Sequence, residues 1–118
     1  MSVFRLDISE SSAPASHFID SFDLTLRNPG REDLDMIVQA FDQNGSMLLA
    51  SLHLNSPSAP DMTVALCGVQ TNRQPFFIHL VTGMEQLAAS AVSVTLHSQH
   101  DVLGSADGRL FVRLHDRR

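Results

Sequence analysis

Residues 33–54 read DLDMIVQAFDQNGSMLLASLHL, and this stretch decides the fold class. At its centre lies Asp42-Gln43-Asn44-Gly45. Asn-Gly between two apolar runs is the strongest short-range hairpin signal, because both residues tolerate the positive φ of a tight turn. The arm before it, Asp33 to Phe41, holds Met36, Ile37 and Val38 in succession, a run suited to a central strand covered on both faces. The arm after it, Ser46 to Leu54, is a second apolar strand.

The same period of two extends outward in both directions. Phe4, Leu6 and Ile8 alternate with Arg5 and Asp7, and Phe18, Phe22, Leu24 and Leu26 stand opposite Ser21, Asp23, Thr25 and Arg27. Downstream, strands are expected at Met62–Val69, Phe76–Val81, Ala91–His97 and Arg109–His115. Their expected core rows are Met62/Val64/Leu66, Phe76/Ile78/Leu80, Val92/Val94/Leu96 and Leu110/Val112/Leu114. Ser9–Ser16, Asn28-Pro29-Gly30, Asn55–Pro60 and Gln70–Pro75 carry loop and turn chemistry, and Gly104 and Gly108 fall in a loop before the last strand. Met84–Ala89, MEQLAA, is made of good helix formers but is too short to be stable alone, so it reads as a short helical connection.

Strands at this spacing predict one all-β domain over residues 1–118: a two-sheet antiparallel β-sandwich of seven to eight strands, immunoglobulin-like or jelly-roll-like in general architecture. The antibody type itself requires a Cys…Trp…Cys core, and this chain has one cysteine and no tryptophan.

Composition narrows the function. Thirteen acidic side chains against eight basic ones give a net charge of −5, and all eight basic residues are arginines. Such a chain lacks the basic patch that neutralises phosphates, so nucleic-acid binding is not expected. Without tyrosine or tryptophan, a stacking carbohydrate site is not expected either. No run of eighteen apolar residues marks a membrane span, and Met1–Glu10 lacks the pattern of a signal peptide. Together with a lone cysteine, this favours a cytoplasmic protein. Cys67, in the apolar run Val64-Ala65-Leu66-Cys67, reads as a small buried hydrophobe.

Two groups of side chains are candidate sites. On the last strand, Arg109, Phe111, Arg113 and His115 alternate with the expected core row and so face outward; arginine flanking an aromatic ring suits a protein interface. Glu32, Asp33 and Asp35 are the natural acidic complement of that row, within one molecule or between two copies. The second group, His97, His100 and Asp101, has metal-ligand chemistry, but chelation needs a bend because residues three apart on a strand point to opposite faces. The chain has no G-x-S-x-G elbow, H-E-x-x-H, Cys-x-x-Cys or phosphate-binding glycine loop. The expected role is therefore a non-catalytic interaction or structural module without cofactor, binding an unidentified protein or its own copy. A histidine-based metal-binding protein is the alternative, and a small hydrolase the third reading.

Overall fold

The computed structural model describes residues 1–55, 63–99 and 101–114. Among these residues nine strands appear: β1 (Ser2–Ile8), β2 (Ser21–Arg27), β3 (Leu34–Asp42), β4 (Gly45–Leu54), β5 (Thr63–Gln70), β6 (Phe76–Thr82), β7 (Val92–Ser98), β8 (Asp101–Asp107) and β9 (Val112–Leu114). They form two antiparallel sheets, a five-stranded one ordered β4-β3-β6-β1-β9 and a four-stranded one ordered β5-β2-β7-β8. The all-β two-sheet architecture expected from the alternation is present, with one strand more.

The core lies between the sheets and is built from the rows that alternation selects. Phe4, Leu6 and Ile8 of β1, Phe22, Leu24 and Leu26 of β2, and Phe76, Ile78 and Leu80 of β6 are all buried, as are Val92, Val94 and Leu96 of β7. Phe22 and Phe76 stack across the two sheets with centroids 5.2 Å apart. Phe18 does not join that row: it sits in a 3-10 turn, Ser16–Phe18, and is exposed, while Ile19 takes the buried place.

The β3–β4 hairpin forms with Asp42 paired to Gly45 across Gln43-Asn44. Gly45 adopts φ +119°, which a side chain would resist, and Asp42 Oδ1 accepts the Asn44 amide at 2.7 Å. The helical connection is shorter and later than the helix formers suggest. Residues 84–88 are irregular with a bend at Glu85 and Gln86, and a 3-10 turn spans Ala89–Ala91. Six residues cannot nucleate a helix against the pull of burying Leu87 and Ala91.

The segment read as the loop before the last strand is itself a strand, β8, hydrogen-bonded to β7. Gly104 hid it, because the core position opposite Leu96 carries no side chain. A Cβ there would lie 3.2 Å from the Pro14 ring, so the glycine admits the β1–β2 loop onto the sheet. Cys67 is exposed rather than buried. Its neighbour Leu66 takes the inward position, and a bulge at Gly68 (φ +69°) then resets the strand so that Val69 turns in.

Candidate functional site

The expected outward row on the last strand is inverted. Phe111 is 7% exposed and belongs to the core, whereas Leu110 and Val112 are 58% and 66% exposed. The cause is local: Gly108–Leu110 forms a 3-10 turn, so the chain enters β9 with the opposite parity to an uninterrupted strand from Arg109. Arg109 lies in that turn and pairs with Asp107, whose carboxylate accepts both its backbone amide (2.9 Å) and its guanidinium (2.8 Å). These bonds hold the Asp107 carboxyl below the usual carboxylate range. Arg109, Phe111 and Arg113 still line one recess of about 320 Å³, with Glu85 on its rim, but the phenylalanine is its floor and not an exposed anchor. His115 lies outside the described residues. Asp33 and Asp35 do not complement this row; both approach His53, at 3.4 and 2.7 Å. The Asp35 carboxylate raises the His53 imidazole above its ordinary value.

The second group is also divided. His97 Nε2 lies 2.9 Å from Asp23 Oδ2, and the β7–β8 register pairs His97 with Val102 and Ser98 with Asp101. Cross-strand partners share a face, so His97 and Asp101 leave opposite sides of the sheet. His100 lies outside the described residues, among which no cluster of three His, Cys, Asp or Glu side chains could hold a metal ion. Two carboxylates with structural work had no signal in the sequence. Asp20 binds Arg73 (2.7 Å) and the Gln99 amide (2.8 Å), joining the β5–β6 and β7–β8 turns. Asp23 receives the Gly68 amide at 2.7 Å as well as His97. Donors to the charged form lower both carboxyls, Arg73 first for Asp20 and the Gly68 amide first for Asp23.

The imidazole of this group, His97, is hydrogen-bonded to Asp23. Cys67 on β5 and His97 on β7 are separated by the width of β2, roughly 10 Å at two strand spacings. A depression of about 730 Å³ lies between Asn28–Leu34 and Gly83–Ala88. Its buried polar residue, Asn28, is engaged by its own surroundings: the amide donates to the Glu32 and Leu54 carbonyls and the oxygen accepts from Gly30.

The face with unexplained chemistry is the outer side of the five-stranded sheet. Its strongest feature is a ring cluster at mid-sheet. The Arg5 guanidinium lies 3.9 Å over the Phe77 ring, Phe77 is 4.9 Å from His79, and Phe41 is 5.3 Å from Phe77. His79 occupies the middle of β6, the central strand, and its Nε2 is buried with no hydrogen-bond partner among the described residues. Burial, helped by the Arg5 charge, keeps that imidazole below its ordinary pKa. Register carries Val112 beside Arg5, Leu114 beside Val3, Val81 beside Ile37, and Leu49 beside Gln39 onto the same face. Leu49 is 69% exposed. The four-stranded sheet is more polar: its outer side presents Asp23, Thr25, Ser93, Thr95, His97 and Ser105, with Ala65 and the exposed Val102 toward its two edges.

Part of this face was legible. Met36-Ile37-Val38 is apolar at both parities, and so is Phe76-Phe77-Ile78 with Leu80-Val81; such runs belong to strands covered on both sides. The structure covers one side only.

No protein-family model, curated protein or solved structure matches the chain. Its function must be argued from its own surface. Among the described residues, no helix is long and apolar enough to cross a membrane.

Proposed function

We propose that the chain is a non-catalytic, cytoplasmic protein-interaction module that binds through the outer face of its five-stranded sheet. The observation that carries this reading is the contrast between the two outer faces. One is mostly hydroxylic and acidic, with apolar Ala65 and Val102 only toward its edges; the other combines Phe41, Phe77, Val81 and Leu49 with an arginine stacked on a ring. Aromatic and arginine side chains beside apolar ones are the composition of interface centres. An exposed free thiol, Cys67, accords with a reducing compartment.

Amine-directed cross-linkers have no lysine to act on, so the test uses a photoreactive phenylalanine analogue placed at position 49 or, on the opposite face, at position 95. Illumination in extract is expected to give protein adducts from position 49 and none from position 95. Adducts from neither position, or equally from both, overturn the reading.

A further inference from the structure

We infer that this outer face docks on a second copy of the same chain, forming a face-to-face homodimer about a two-fold axis that runs along β6. The inference rests on the interaction reading above and names its partner. Three observations carry it.

The first is size. Strands of the recorded lengths, at spacings of about 4.8 Å between strands and 3.4 Å per residue, give the sheet a projected face of roughly 600 Å². Two copies would bury roughly 1,200 Å² before side-chain relief is counted, above the ~1,000 Å² that a specific interface needs.

The second is charge. A two-fold axis brings each group near its own equivalent, so unbalanced charge on the face would repel itself. At the centre of this face the fixed charges are neutralised within one copy. Arg5 pairs with Asp7 at 2.8 Å, while Asp33 and Asp35, at 3.4 and 2.7 Å from His53, lie at the start of the β3–β4 hairpin, on the flank that the rotation carries away from its own equivalent. The centre is His79, whose surroundings favour the neutral ring; the charged groups nearest it are Arg5 and Asp7 of β1, while β3 contributes Gln39 and Phe41. A partner selected by charge at the centre would require an excess of one sign there, and the centre offers none.

The third is the distribution of apolar groups on either side of β6. Leu49 stands on the β4 flank, and Val112 and Leu114 on the β9 flank. Rotation about β6 exchanges the flanks, laying Leu49 of one copy against Val112 and Leu114 of the other. The ring cluster then closes on its own counterpart, as two sheets pack about 10 Å apart in a sandwich core.

The test is sedimentation equilibrium of the full chain. The wild type is expected at twice the 12.9 kDa chain mass. Leu49→Arg, at an exposed position that the fold does not need, is expected to keep its thermal melt as a monomer and weaken the dimer at least ~100-fold, because both copies carry the new charge into the interface. Thr95→Arg, on the other outer face, is expected to leave the dimer unchanged. A wild type at 12.9 kDa across the accessible concentration range overturns self-docking, and so does a Leu49→Arg variant as dimeric as Thr95→Arg. In either case, a position-49 adduct to a different protein would preserve the interaction reading, whereas no adduct would remove both.

Discussion

Replacing Phe111 by alanine separates the two parities of the C-terminal strand. In an uninterrupted strand from Arg109 this ring would face solvent and its loss would cost little. In the structure it is 7% exposed and joins the core cluster beside Phe4. Truncation to alanine removes roughly 120 Å² of buried apolar surface, worth about 3 kcal/mol at ~25 cal/mol per Å². The site borders the sheet edge and can partly collapse, which keeps the cost near the lower end of the ~3–5 kcal/mol typical of buried phenylalanine. Leu110, 58% exposed, has less than half its side chain to lose, so Leu110→Ala is expected to cost under ~1 kcal/mol. Domains of this class have only ~5–15 kcal/mol in total, so the gap is readily measured. Urea unfolding should be followed by far-UV circular dichroism, since the chain has neither tryptophan nor tyrosine to report by fluorescence. Leu110→Ala as costly as Phe111→Ala, or costlier, would refute the inverted parity and the 3-10 turn that produces it.

Gly108→Ala is expected to destabilise by roughly 2 kcal/mol or more, because the added Cβ would overlap the Ala88 carbonyl and only separation of two backbone turns could relieve it. A variant with an unchanged urea midpoint would show that those turns are not in contact. Asp20→Asn is expected to lower stability at neutral pH. Donors from Arg73 and Gln99 depress the native Asp20 pKa below its ordinary 3.8, so its contribution is complete above that value and disappears as pH falls through the native one. The difference between wild type and variant should therefore shrink below about pH 4 in a series of urea midpoints, and a constant difference would contradict the stitch between the two turns.

What the sequence reveals of this molecule follows from what a period of two can encode. It reads a face reliably where a strand runs without interruption, and the buried rows of β1, β2, β6 and β7 are the alternating residues themselves. It fails where one residue or one turn changes phase, since a slip of one position moves every later side chain to the other face. The Gly108–Leu110 turn inverts β9 in this way, and the Gly68 bulge lets Leu66 and Val69 both turn inward despite their odd separation. A glycine in a core row leaves no apolar mark, so β8 is silent at Gly104 even though the close approach of Pro14 is the reason for that glycine. The carboxylates of Asp20 and Asp23 join residues more than forty positions away, a relation that no local pattern records.

The same reasoning explains why the candidate site moved. Arginine beside phenylalanine does occur on an outer face, but not between near neighbours in the sequence. In a sheet, side chains on neighbouring strands meet more closely than alternate residues of one strand, because strands lie ~4.8 Å apart while residues i and i+2 are nearly 7 Å apart. The arginine–aromatic pair that forms on the open face is Arg5 with Phe77, from strands far apart in the chain, and β3 adds Phe41 to it. Arg109 is instead held by Asp107, two residues away, and Phe111 is drawn into the core. The runs at Met36–Val38 and Phe76–Val81 mark that same face: they are apolar at both parities, and the fold buries only one of them.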